Sequence, residues 1–210
     1  MEAMIEVDGL SKSFRIVKRR PGLLGGLRSA AQLISYEMAL GLSLVPTFII
    51  VGSLRLQDIA NYAVHVGPLS LPLIFVTPLG FVIYLIAAVA ETNRAPFDLP
   101  EAEQELVGGF HTEYSGFKFA MFYIAEYMNI FAVSTVASVL FLGGGSGPLL
   151  PPIVWLIIKI SLFLFFYIWI RSTLPRLRYD SLMKLGWKVL LPLSIANVIV
   201  TAVIVVAIGS

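Results

Sequence analysis

Long apolar runs alternate with polar, charged stretches along this chain. Five runs, at roughly 33–54, 69–90, 119–142, 153–170 and 189–208, are each long enough to cross a bilayer, which takes about 20 helical residues. They are continuously apolar, whereas a barrel needs segments of about ten residues with alternating polarity, so the pattern predicts helices. The fourth run is the shortest and most aromatic, holding Trp155, Phe163, Phe165, Phe166, Tyr167 and Trp169. Pro46, Pro72, Pro78 and Pro192 interrupt the runs. Membrane helices tolerate such breaks where neighbours satisfy the freed backbone groups. The predicted fold is an all-α membrane protein, a bundle of about five transmembrane helices.

Composition agrees. Of 210 residues, 58% are hydrophobic and 13% charged, against about 25% charged in a soluble domain. That excludes an ordinary soluble domain and a disordered chain. With no cysteine, the chain carries no disulfide, thiolate metal site or iron–sulfur ligation. His65 and His111 show no ligand spacing with each other or with acids, so neither reads as a metal ligand.

Charge placement says more than the net +2. The N-terminal segment holds Lys12, Arg15, Lys18, Arg19, Arg20 and Arg28; the stretch 171–188 holds Arg171, Arg176, Arg178, Lys184 and Lys188. The loop at 55–68 has only Arg55, 91–118 has Arg94 and Lys118, and 143–152 has no basic residue. The positive-inside rule then puts the N-terminus and the loops at 91–118 and 171–188 in the cytoplasm or matrix, and the C-terminus outside. Residues 1–28 read as a basic cytoplasmic arm, without the apolar stretch of a cleavable signal peptide, and 29–210 as the membrane domain.

Acids crowd one loop. Glu91, Asp98, Glu101, Glu103, Glu105 and Glu113 fall within 91–113, with only Arg94 to offset them. Pro100 suits the first turn of a short helix in which the acids at 101, 103 and 105 face the positive end of its dipole. Gly108-Gly109 would end that helix. A solvated acidic loop and a cluster that takes up and passes protons both remain open here. Glu37 and Glu126 lie inside spans, about 12 Å along a helix starting near Ser29 and about 14 Å into the third run. Glu91 closes the second run. Acids at such depth are costly and mark functional paths by default, the alternatives being snorkelling or a single structural hydrogen bond. Taken together with the loop, they favour a path of carboxyl groups. Lys159, toward the outer end of its run, reads as a snorkelling lysine.

Three blocks carry a family resemblance: AQLISYEMALGLSL, AETNRAPFDLPEAEQELVGGFHTEYSGFKFAMFYIAEY and RSTLPRLRYDSLMKLGWKVLLPLS. They resemble the quinone-site membrane subunit of respiratory complex I, NADH-quinone oxidoreductase, over about residues 28–210. The bacterial form is the H-type subunit, and the mitochondrial form is subunit 1. The resemblance implies a membrane subunit of a proton-translocating enzyme in which this chain has no redox centre of its own. Quinone would be the substrate, and NADH, FMN and iron–sulfur clusters would sit in partner subunits of the peripheral arm. Arg94, Asp98, Glu101, Glu103 and Glu105 would line the quinone chamber and its acidic funnel. Glu37, Glu91, Glu113 and Glu126 would form the proton path into the membrane arm. Arg176, Arg178 and Asp180 would contact the peripheral arm. The implied partners are other complex I subunits, the bilayer and quinone, with no nucleic acid, in a bacterial inner membrane.

The family chain usually has eight spans, so this one reads as N-terminally truncated. Its residues 4–28 weakly resemble the opening of an ABC-transporter ATPase, but no G-x-x-x-x-G-K-[ST] follows. The alternatives are a membrane subunit of an energy-converting hydrogenase or a non-functional truncated fragment.

Overall fold

The computed structural model describes residues 23–62, 64–66, 69–92, 96–97, 116–175, 177 and 179–209. The first helix, α1 (Leu23–Val51), has 29 residues and contains Pro46. It starts within the stretch expected to be the basic arm. Proline has no N–H to give the preceding turn. Around this break Ser43 and Thr47 donate their hydroxyls to the Leu40 and Leu44 carbonyls, keeping their own polar atoms satisfied. A short α2 (Leu56–Asn61) follows at the far end of α1.

The second run does not form one helix. It opens as an antiparallel hairpin, β1 (Val64–Val66) and β2 (Leu69–Leu71), pairing Val64 with Leu71 and Val66 with Leu69. One turn of α3 (Leu73–Val76) comes next, then α4 (Pro78–Glu91). Proline disfavours helical geometry in the residue before it, and Thr77, ahead of Pro78, sits at φ −122° and ψ 57°. Pro72 precedes α3 in the same way. At 14 residues, α4 is about 21 Å long, short of a hydrocarbon core of about 30 Å.

Four other segments are long and apolar enough to cross a membrane: Leu33–Val51, Ala120–Leu142, Pro152–Thr173 and Ser181–Ala207. The five expected spans thus become four long ones and a shorter, two-piece segment, and the chain is an all-α, multi-pass membrane protein with one small hairpin among its described residues. The short acidic loop helix expected after Pro100 lies outside the described residues.

Two long helices, α5 (Phe117–Leu142) and α6 (Pro152–Thr173), are joined by a glycine-rich turn. Gly143 ends α5 at φ 69°, in the left-handed region glycine adopts freely. Lys159 extends to the turn at the end of its helix, where backbone carbonyls receive it. Its Nζ donates to the Leu142, Gly144 and Ser146 carbonyls at 2.6, 2.8 and 2.8 Å. The ammonium thus meets the last carbonyl of α5, at the negative end of that helix, and two carbonyls of the turn that follows. Trp155 adds an Nε1 bond to the Pro148 carbonyl at 2.9 Å.

The last helix starts ten residues before the expected 189, as α7 (Tyr179–Lys184), and runs on into α8 (Leu191–Gly209). Lys184 and Lys188 interrupt the apolar run without interrupting the helix. Between the two parts, Leu185–Leu190 forms a wider π turn, in which the Leu191 N–H reaches the Gly186 carbonyl. Such an inserted residue gives Pro192 room against the preceding turn.

Helix α1 packs against α4 and α8, and α5 against α6. One core gathers Tyr36, Ile83, Ala87, Phe97, Tyr167 and Leu182; a second gathers Tyr84, Ala137, Phe141 and Phe163. The ring of Phe141 meets Phe81 edge-on at 5.3 Å and Tyr84 at 5.5 Å. By contrast, the N-terminal part of α5 is exposed at 120–125 and 127–129.

Replacing Lys159 by Met should test the turn. The three carbonyls lose a charged donor, and hydrogen bonds to charged groups contribute about 1.5–3 kcal/mol. Thermal unfolding of the chain in nanodiscs should show a lower midpoint with the same helical circular dichroism signal.

Candidate functional site

The chain leaves α4 at one end of the bundle, and there several acids and phenols converge. Thr92 closes the helix by returning its hydroxyl to Ala88 and Val89 at 3.1 and 3.2 Å. Pro96 and Phe97 are then buried. The Pro96 carbonyl accepts the Leu177 N–H at 2.9 Å, and the Phe97 ring lies 5.8 Å from Tyr36. The backbone leading toward the acidic stretch is thereby held against both α1 and the turn between α6 and α7.

Tyr36 is fully buried and donates its phenol to the Leu182 carbonyl at 2.9 Å. Gly186 lies close to it, where a Cβ would stand 3.7 Å from the ring, in ordinary van der Waals contact. Glu37, about 100° further around α1, is exposed. The helix starts at Leu23 and not near Ser29, so Glu37 stands about 21 Å along it at 1.5 Å per residue, four residues into the apolar window that starts at Leu33.

Glu91 is the last residue of α4 and is half-buried. Its carboxyl lies within electrostatic reach of Glu37 on α1 and of the phenols of Tyr84 and Tyr167. Tyr84 precedes Glu91 by seven residues, two helical turns, and so shares its face of α4. Its hydroxyl donates to the Val133 carbonyl of α5 at 2.9 Å. Tyr167 approaches from α6, 6% exposed and packed in the same core as Ala87 and Ala90. Glu126 is on α5, about 14 Å from the helix start, half-buried with Oε1 shielded from solvent.

Of the expected path residues, the structure therefore brings Glu37 and Glu91 together and puts Glu126 on a separate helix. Glu113 lies outside the described residues, as do Arg94, Asp98, Glu101, Glu103, Glu105, Arg176 and Arg178. Asp180 falls in α7. Tyr84 and Tyr167 do not stand out in the sequence, where they look like ordinary span aromatics. The two-turn spacing from Tyr84 to Glu91 is the one available signal. Among the described residues, no three His, Asp or Glu side chains gather as a metal site would require. The arrangement can hold and share protons between carboxyl and phenol groups.

The profile of a family described as NADH dehydrogenase matches residues 20–202. The chain belongs to this family. Among curated relatives, the H-type subunit of the Thermomicrobium roseum NADH-quinone oxidoreductase is 58% identical over 190 residues, 88% of this chain and 56% of the relative. One from Geobacter sulfurreducens is 55% identical over 179 residues, 85% of this chain and 53% of the relative. That of Dehalococcoides mccartyi strain 195 is 51% identical over 180 residues, 86% and 49% respectively. The chain thus spans about half the length of the curated relatives it matches. The shared half includes both the helix carrying Glu37 and the one carrying Glu91.

Tyr36→Phe removes one buried hydrogen bond, worth about 1 kcal/mol, and with it the tie between α1 and the carbonyl of Leu182 in α7. Hydrogen exchange should accelerate at the amides of 183–191 while those of 130–142 keep their protection.

Proposed function

We propose that this chain serves as part of a membrane subunit of a proton-translocating NADH:quinone oxidoreductase, contributing to its quinone chamber and to the acidic path leading into the membrane arm. The observation that carries this reading is the meeting of Glu37 and Glu91 beside two buried phenols, at the end of the bundle where the acidic stretch begins. Family membership supports the enzyme class. Reduction of a quinone consumes two electrons and two protons. A transient negative charge on the headgroup would raise the proton affinity of nearby carboxyls. Glu91, half-buried and next to Glu37, is suited to take a proton when that charge forms and to give it up when the charge is gone.

In this reading Arg94, Asp98, Glu101, Glu103 and Glu105 belong to the chamber and funnel. Glu113 and Glu126 continue the path with Glu37 and Glu91. Arg176, Arg178 and Asp180 meet the peripheral arm, whose proteins carry FMN and iron–sulfur clusters and oxidise NADH. Membrane-arm subunits receive the coupling, which acts between separate sites. The site of action is a bacterial inner membrane, with the Glu91 end cytoplasmic and the C-terminus outside, as the basic residues favour.

Glu91→Gln in membranes carrying the assembled complex should lower NADH-driven quinone reduction at least tenfold and leave NADH oxidation by ferricyanide intact. Glu105→Gln and Arg94→Ala should behave alike. Equal loss of both activities would point to failed assembly and away from this site. Migration of the chain apart from every flavin- and iron–sulfur-bearing subunit on native gels would refute the assignment.

A further inference from the structure

The turn between α5 and α6 is held together without Lys159. Its own backbone closes it, the Gly144 N–H on the Ser138 carbonyl at 2.9 Å and the Ser146 N–H on the Gly143 carbonyl at 3.0 Å. Two of its glycines lie flush against α6. A Cβ on Gly145 would stand 2.7 Å from the Pro152 carbonyl oxygen, and one on Gly147 would run into the Trp155 ring. The indole, bonded to the Pro148 carbonyl, holds the far side of the turn.

Toward the lysine, the turn offers a cup of carbonyl oxygens. Leu142, Gly144 and Ser146 alternate along the chain, and their oxygens meet at one point, 2.6, 2.8 and 2.8 Å from Nζ. The recess that leads to this point is lined by Asn61, Tyr62, Ser146 and Trp155, and none of its described lining residues is an acid. A full positive charge is therefore held here by dipoles. Carbonyl dipoles do the same for a dehydrated potassium ion, replacing its water shell. Divalent ions draw on carboxylates to offset their larger charge.

We infer that the glycine-rich turn is a binding site for a monovalent cation of potassium or ammonium size, and that Lys159 occupies it from within the chain. The lysine stem is the tether. Tethering makes the contact intramolecular, with an effective concentration that favours it over free ions. The end of α5 and the start of α6 are thereby joined through a cation whatever the salt. A chain without a basic residue at 159 keeps the same cup and depends on a free ion to fill it, with the recess as the way in.

Lys159→Ala and Lys159→Met, each made as the full chain in phosphatidylcholine nanodiscs, test the cup. In about 150 mM potassium chloride, the Lys159→Ala midpoint of thermal unfolding should lie about 3 °C or more above its value in tetramethylammonium chloride of the same strength. Sodium, smaller and more tightly hydrated, should recover less. The two variants differ in the space they leave. Alanine removes the stem with the ammonium, so propylammonium should restore that variant as potassium does. Methionine fills the stem and leaves room for a bare ion, so potassium should restore it and propylammonium should not. The wild type should unfold at one temperature in all of these salts. Potassium should also shift the carbonyl carbon NMR signals of Gly144 and Ser146 in Lys159→Ala and leave them in place in the wild type. Midpoints of both variants that do not distinguish potassium from tetramethylammonium would overturn the site. So would failure of both variants to fold in potassium chloride, or a wild type that depends on potassium as they do.

Discussion

Lipid offers no hydrogen bonds, so every backbone group that leaves a helical ladder inside the bilayer must find its partner within the protein. The breaks in this bundle follow that constraint. Where α5 ends, Lys159 takes three carbonyls. Just before the last helix widens, Tyr36 takes the Leu182 carbonyl of α7. Tyr84 adds a second donor to Val133 in the middle of α5. Ser and Thr side chains return to their own helices, as Ser134 does to Ile130 and Ser138 to Ser134. The long polar side chains thus have two roles, satisfying freed carbonyls and tying one helix to another.

The same bonds position the carboxyl cluster. Tyr36 and Glu37 are neighbours in sequence but point in different directions, one into the core and one out of it. Fixing the phenol on Leu182 fixes the rotation of α1, and with it the approach of Glu37 to Glu91. Phe97 packs on the same tyrosine from the other side of the cluster. Phe97, the last described residue before the acidic stretch, is therefore packed on the tyrosine that also bonds to α7.

Much of this architecture is legible in the sequence. The apolar runs locate the four long spans, because helix length and bilayer thickness leave little choice. Glu37 and Glu91 stand out because carboxyls are rare in apolar surroundings. The second span is where hydropathy misleads: it does not register that Pro72 and Pro78 reset the backbone, and the hairpin of β1 and β2 has no separate apolar signature. Hydropathy also starts the last helix too late, because Lys184 and Lys188 lower the local average while remaining good helix formers. Lys159 reads as an interfacial residue because its partners are backbone carbonyls, which no side-chain pattern reveals. Grouping Tyr84 and Tyr167 with Glu91 requires knowing which helices face each other.

At the opposite end of the bundle, a recess of about 570 Å³ opens between the hairpin side and the glycine-rich turn, reaching Lys159 seven residues inside α6. Beside it stands α4, with only 14 residues. Apolar and polar side chains share the wall of the recess, Trp155 and Leu142 beside Asn61 and Ser146, so the lysine that closes the α5 turn is open to small polar solutes from one side and packed against hydrocarbon side chains on the other.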